Sequence, residues 1–146
     1  MDTAIVGAMA GVLGSLVGGS ATVATAWVTQ KTLTKRELIL AKIQKRETLY
    51  GEFINECSKL VMDSFANTLD RPEKLLPAYA LLNRIRLKAS DTVLREADQL
   101  LKWITEQYFA PNLTIEEMRA HVRSGNADPL KSFGEACRTE LKSLLS

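Results

Sequence analysis

The longest apolar stretch of the chain runs from Thr3 to Gln30 and contains no charged residue. Most of its residues are Ala, Val, Leu, Ile and Gly. A helix over Ala4–Thr29 would be about 39 Å long at ~1.5 Å of rise per residue, which exceeds the ~30 Å hydrocarbon core of a bilayer. The pattern therefore predicts a transmembrane helix, with residues 1–30 as a membrane anchor.

Small residues recur along this stretch at alternating spacings of three and four, which keeps them on one face of a helix. Two of the steps are GxxxG pairs, which allow two helix backbones to approach closely in lipid. We expect this seam to pack against a second copy of the chain or against another membrane helix. The seam consists of Ala4, Gly7, Gly11, Gly14, Gly18, Ala21 and Thr25.

A polar stripe accompanies the seam, because Ser15, Thr22 and Thr29 repeat every seven residues. Three uses are open for these hydroxyls. They can bond to carbonyls of their own helix, they can bond across a helix interface, or they can line a pore if enough copies assemble.

Beyond Gln30 the apolar residues keep helical spacing, and no β-type alternation of useful length occurs. Residues 31–48 are predicted to continue the membrane helix as a basic juxtamembrane segment, and residues 49–146 to form a helical bundle. The predicted fold is all-α, with one N-terminal transmembrane helix leading into a cytoplasmic antiparallel bundle. The predicted helices end near Thr68, then run over Pro72–Lys88, from Ser90 or Asp91 to Phe109, over Thr114–Val122, and from the Asp128–Pro129 cap onward.

Charge is unevenly distributed along a chain whose formal net charge is only +2. A basic block follows the apolar stretch directly, which by the positive-inside rule leaves the N-terminus outside and the remainder in the cytoplasm. The block either serves only as this topology signal or also binds anionic lipid headgroups. A cleaved signal peptide ending near Ala24–Ala26 is the competing interpretation. The block consists of Lys31, Lys35, Arg36, Lys42, Lys45 and Arg46.

Candidate catalytic chemistry is sparse in this sequence. Cys57 and Cys137 fall on apolar helical stripes and are predicted to be buried reduced thiols. The chain's one histidine, His121, has no neighbouring nucleophile or metal ligand in sequence. Glu135 and Glu140 are interpreted as solvated helix residues. We therefore expect no enzyme activity, no metal, no cofactor and no nucleic-acid partner.

Four segments resemble a group of small bacterial single-pass membrane proteins with a cytoplasmic helical domain. They are GSLVGGSATVATAWVTQ, RETLYGEFI at residues 46–54, LPAYALLNRIRL at 76–87 and DPLKSFGEACRTEL at 128–141. The resemblance covers nearly the whole chain. It implies a location in the bacterial inner membrane and no particular activity.

The sequence thus favours a membrane-anchored interaction protein. In this hypothesis the chain contacts membrane lipid, self-associates through the seam and presents its bundle to a protein partner that the sequence does not identify. Three alternatives remain: an oligomeric pore or membrane-perturbing effector, a membrane-tethered enzyme, and a subunit of a larger membrane complex. The copy number separates the pore from the rest, because two helices enclose no lumen.

Overall fold

The computed structural model describes residues 2–125 and 128–146, and it leaves the side chains of residues 9–20 undescribed. The described chain is all-helical, which confirms the predicted all-α class. Its elements are α1 (Asp2–Ala66), a short 3₁₀ helix (Pro72–Leu75), α2 (Leu76–Lys88), α3 (Asp91–Phe109), α4 (Ile115–Arg123) and α5 (Lys131–Ser143).

Two compact units divide the chain, Met1–Ala41 and Lys42–Ser146. The first unit belongs to α1, and every side chain described in it is exposed. Over the residues whose placement is described, no helix combines the length and the apolar character needed to cross a bilayer. The second unit begins at Lys42 and contains the packed helices.

The core of the second unit is formed by the inner stripes of α1, α2, α3 and α5. Helical spacing predicts an inner stripe of α3, and all five of its residues are buried: Val93, Ala97, Leu100, Leu101 and Ile104. In α2 the spacing of Leu75, Leu82 and Ile85 predicts Tyr79 on the inner face, but Ala78 is buried and Tyr79 is 41% exposed. The largest fully buried side chains are Tyr108, Phe53, Phe133, Leu49, Ile85, Leu101 and Ile104.

Local sequence signals explain where the helices begin. The Ser90 hydroxyl caps α3 by accepting from the Val93 N–H at 3.4 Å. The Thr-x-x-Glu pattern at 114–117 predicts a capping box, and the structure has it at the start of α4. The Thr114 N–H donates to the Glu117 carboxylate at 2.8 Å, and the Glu117 N–H donates to the Thr114 hydroxyl at 3.3 Å. Such a box satisfies two backbone donors that a helix start leaves unpaired.

Proline and aspartate shift two other helix starts from their predicted positions. Pro77 lies in the first turn of α2. Backbone N–H groups in a first turn have no hydrogen-bond acceptor within the helix, so proline is tolerated there. The α-helix therefore begins at Leu76, directly after the 3₁₀ helix. Before α5 the Asp128 carboxylate accepts from the Leu130 N–H at 3.0 Å. The α5 helix therefore begins at Lys131, two residues beyond the predicted Asp128–Pro129 cap.

Candidate functional site

The face of α1 that carries the predicted seam is exposed where its side chains are described, at Gly7, Ala21 and Thr25. Apart from its chain neighbours and the backbone of its own helix, no described atom lies within 4 Å of where a Cβ on Gly7 would be. Gly11, Gly14 and Gly18 lie outside the described side chains. An open groove of about 860 Å³ lies along residues 21–37 of α1. Its lining residues are Ala21, Thr22, Thr25, Ala26, Thr29, Gln30, Leu33, Thr34 and Glu37.

The hydroxyls of the polar stripe are used locally where the structure describes them. The Thr25 hydroxyl donates to the Ala21 carbonyl, and the Thr29 hydroxyl donates to the Thr25 carbonyl, both at 2.9 Å. This is the first of the three uses that the sequence left open. Each oxygen retains lone pairs that can accept a further hydrogen bond. Thr22 also has a bonding partner, and Ser15 lies outside the described side chains.

Five of the six basic residues after the apolar stretch are exposed and, within the described chain, have no acidic partner: Lys31, Lys35, Arg36, Lys42 and Lys45. The Lys31 ammonium lies 5.0 Å from the centre of the Trp27 ring, within range of a cation–π interaction. This contact brings a cation and an amphipathic indole together at one level of α1.

Arg46 has a different environment from the rest of the basic block, because it pairs with a buried carboxylate. Its guanidinium lies 2.9 Å from the Glu140 carboxylate, and its side chain is 14% exposed. The Tyr50 hydroxyl, one turn further along α1, also donates to Glu140. The backbone N–H of Ser90 donates to the same carboxylate at 2.5 Å. One carboxylate on α5 thus binds two side chains of α1 and the N-cap residue of α3.

The interpretation of Glu140 as a solvated residue is wrong, since it is only 8% exposed. Burial by itself would raise the pKa of this carboxyl. The hydrogen bonds from Tyr50 and Ser90 and the charge of Arg46 outweigh that effect and hold the pKa below its ordinary value. Burial and the neighbouring carboxylate raise the pKa of Tyr50. Glu140 is therefore an ionised acceptor at neutral pH, which suits a structural role better than acid catalysis.

A second polar cluster surrounds Asp63 near the end of α1. The Tyr108 hydroxyl donates to its carboxylate at 2.6 Å and the Asn67 amide at 2.8 Å, and the Lys74 ammonium lies 3.4 Å away. Lys74 also pairs with Asp70 at 2.8 Å. The bond from Tyr108, with the other donors, lowers the pKa of Asp63. The cluster joins α1, α3 and the 3₁₀ helix.

Both cysteines are buried free thiols, as the sequence predicted. Burial raises the pKa of each to about 12, so neither is a thiolate at neutral pH. Cys57 is on the buried face of α1, and Cys137 lies one turn before Glu140 on α5. These thiols fill space in the core and are unsuited to act as nucleophiles.

His121 is exposed on α4 and borders a groove of about 390 Å³, which we call the α3–α5 groove. Its ring packs edge-on against Phe65, with 6.3 Å between ring centroids. No metal-ligating group of three or more His, Cys, Asp or Glu residues occurs in the described part of the chain. The groove is lined by Glu96, Gln99, Leu100 and Trp103 of α3, by His121 of α4, and by Pro129, Ser132 and Phe133 at the start of α5.

Ion pairs on the surface differ from the one that helix spacing predicted. The i, i+4 spacing of Asp98 and Lys102 predicts a pair along α3, but Asp98 lies 3.6 Å from Arg86 of α2, and Lys102 lies 4.0 Å from Glu106. Local spacing cannot account for the α2–α3 pair, because it depends on how two helices pack.

Comparisons with known proteins add no assignment to this geometry. No protein-family model matches the chain, and the searches of curated proteins and of solved structures give no match.

Proposed function

We propose that this chain is a single-pass protein of the bacterial inner membrane, which self-associates through its N-terminal helix and presents a cytoplasmic helical bundle to a protein partner. One observation carries the proposal: the unit Met1–Ala41 exposes every side chain described in it, although no charge occurs between residues 3 and 30. The proposal draws on the sequence of this whole stretch, of which residues 9–20 lie outside the described side chains.

Exposed apolar surface of this extent calls for a non-aqueous environment or a partner helix. Val23 and Trp27 are 69% and 65% exposed, and Ile5, Val6 and Val28 are similarly uncovered. Lipid would cover these side chains at no cost in hydration. Trp27 then suits the headgroup level, where an indole can be both buried and hydrogen-bonded.

The five exposed basic residues support the orientation. They follow the apolar stretch directly, and by the positive-inside rule they stay on the cytoplasmic side. Each basic residue near an anionic surface would contribute ~1 kcal/mol of attraction. In this proposal the bundle is cytoplasmic and the N-terminus is outside.

The groove along Ala21, Thr25 and Thr29 supports self-association of α1. Small residues let a second helix backbone come close, and close packing is the main attraction between helices in lipid. Ala21 and Thr25, the last two residues of the predicted seam, line this groove. A second copy of α1 is the occupant that this proposal assigns to it.

Helix α2 supports a role in protein interaction for the bundle. Its outer face exposes Leu76, Tyr79 and Leu87, of which Leu87 is 83% exposed. Tyr79 and Leu87 lie three and eleven positions after Leu76, so the three side chains share one side of the helix. Apolar side chains in such a row are typical of a face that receives a partner helix.

Membrane extraction of a variant with a charge in the apolar stretch tests the anchor. Val17→Asp places a carboxylate near the middle of the stretch, where a charge costs ~2.5–3.5 kcal/mol. We expect the unmodified chain to stay with the membranes after an alkaline carbonate wash, and this variant to lose most of its membrane-bound fraction. Leu87→Asp adds the same charge to an exposed position of α2 and should leave that fraction unchanged. Release of the unmodified chain by the wash would refute the anchor.

A further inference from the structure

The α3–α5 groove has an apolar floor and aromatic walls. Leu100 and Phe133 are buried beneath it, with 4% and 1% exposure, and Trp103 is half-buried beside them. Its volume of about 390 Å³ falls in the ~300–1,000 Å³ range of small-molecule sites. Three helices meet here, so the floor and the walls come from different elements of the bundle.

A single phenylalanine orders the two rings that flank the groove. Phe65, at the end of α1, contacts Trp103 edge-to-face with 6.1 Å between centroids, and it contacts His121 at 6.3 Å. The Phe65 carbonyl in turn accepts from the Leu113 N–H at 3.1 Å. The Trp103 and His121 rings are therefore already ordered without a ligand. This preorganisation lowers the conformational entropy cost of binding.

Glu96 supplies a carboxylate to the groove that nothing in the described chain neutralises. It is half-buried and, among the described residues, has no hydrogen bond or ion pair. The carboxylates of Glu140 and Asp63 differ, since each is surrounded by donors. A half-buried carboxylate in a groove that also has apolar and aromatic lining favours a ligand with both a cation and an apolar group, because the cation can form a charge-assisted hydrogen bond with it.

We propose that the α3–α5 groove binds a small organic cation, a primary ammonium carried on an aromatic or branched apolar group. The ammonium donates to Glu96, and the apolar group packs on Trp103, Leu100 and Phe133. Gln99 and Ser132 at the rim offer hydrogen bonds to polar substituents of such a ligand. This proposal does not depend on the membrane anchor, since all the residues that carry it belong to the unit Lys42–Ser146.

Three probes of one shape and different charge test the proposal: phenethylamine, 2-phenylethanol and phenylacetate. The full chain in a neutral detergent carries Trp27→Phe, so that Trp103 is its one remaining tryptophan. Titration of Trp103 fluorescence should give a saturable change with phenethylamine in the millimolar range. The neutral and anionic probes should bind at least about tenfold more weakly, as the loss of a hydrogen bond to a charged group implies.

Two glutamate variants separate the groove from general electrostatic attraction. Glu96→Gln preserves the shape of the side chain and should reduce the affinity for phenethylamine about tenfold, to that of 2-phenylethanol. Glu135→Gln makes the same charge change at an exposed position of α5 and should keep the preference for the amine. Circular dichroism checks that both variants remain folded.

Three results would overturn the proposal. They are no saturable change with phenethylamine, equal affinities for the amine and the alcohol, and a preference for the amine that persists in Glu96→Gln. The comparison among the three probes needs no variant at Glu96, so it decides the matter even if that variant fails to fold. Loss of membrane association in Val17→Asp would not alter any of these outcomes.

Discussion

At the scale of single residues, Glu140 makes the most consequential contacts in the bundle. It is buried on α5 and accepts from Arg46 and Tyr50 of α1 and from the Ser90 backbone. A buried charge is tolerable only when its partners replace the water it has lost. Removing the carboxylate would leave the Arg46 guanidinium largely buried without a counter-charge.

Replacing Glu140 by Leu should lower the free energy of unfolding by ~3 kcal/mol, because breaking a buried pair from one side strands the other charge. Urea unfolding followed by Trp103 fluorescence measures the loss. Glu135→Leu, at an exposed position of the same helix, should change stability by no more than ~0.5 kcal/mol. Equal stability of the two variants would mean that the Glu140 contacts contribute little.

Acid should weaken the bundle through the same carboxylates. The pKa values of Glu140 and Asp63 are lowered in the folded chain, below unfolded values of ~4.3 and ~3.9. Their contribution to stability is fully present above the unfolded pKa values and is lost as pH falls through the folded ones. The free energy of unfolding should be level from about pH 7 to 5 and then decline.

Glu140→Gln provides the control for this pH dependence. It should be less stable than the unmodified chain at neutral pH and should lose less stability on acidification, while Asp63 still contributes a slope. Parallel pH curves for the two proteins, measured by urea unfolding, would show that Glu140 has no lowered pKa in the folded chain.

The role of Glu140 was only partly readable from sequence. It lies seven residues after Phe133 and three after Cys137, which puts it on the inner stripe of α5. This spacing indicated a buried position, but a carboxylate is usually exposed, so Glu140 was interpreted as solvated. Its partners could not be predicted, because Arg46 and Ser90 are distant in sequence and meet it only through packing. Asp63 and its donors were missed for the same reason.

At the scale of helices, α4 depends on its capping box more than on burial. All of its residues are described, and none of their side chains is buried. A helix of nine residues is marginal without tertiary support. The bonds between Thr114 and Glu117 therefore contribute a large share of its local stability.

Thr114→Ala should loosen α4 without unfolding the bundle. Loss of an N-cap side chain costs ~1 kcal/mol, which corresponds to about a fivefold rise in the hydrogen-exchange rates of the α4 amides. The mid-helix amides of α3 should exchange as before. Thr139→Ala is the matched control, since its hydroxyl bonds only to the Glu135 carbonyl of its own helix. Unchanged α4 exchange in Thr114→Ala would show that contacts with Phe65 and the core hold this helix.

Helix starts and inner stripes followed from sequence where the signal was local. Ser90, the Thr114–Glu117 box and the α3 stripe were predicted because caps and helical periodicity involve neighbours in the chain. Predictions failed where packing decided the outcome. On the inner face of α2 the fully buried residue is Ala78, whereas Tyr79 is 41% exposed.

At the scale of the whole molecule, the sequence predicted an all-helical chain with a distinct N-terminal segment. The structure contains two compact units, Met1–Ala41 and Lys42–Ser146. In the first unit every described side chain is exposed. The copy number could not be predicted, because a small-residue seam suits a dimer, a ring or a contact with another protein equally.

We expect copies of the whole chain to self-associate through the seam of the N-terminal helix. Gly11→Leu with Gly18→Leu fills the seam with bulky side chains and should separate the copies, because the backbones can no longer approach closely. The bundle contains neither residue, so its unfolding free energy should stay within ~0.5 kcal/mol. Leu substitution at two positions off the seam, Val12 and Ala24, provides the control.

The most direct test is the mass of the full chain extracted in mild detergent or held in nanodiscs. We expect a discrete homo-oligomer that becomes a monomer when Gly11 and Gly18 are replaced by Leu and persists in the control. A closed ring of about five or more copies would favour the alternative in which the chain forms an oligomeric pore. A monomeric unmodified chain, or an oligomer that survives both glycine substitutions, would contradict self-association through the seam.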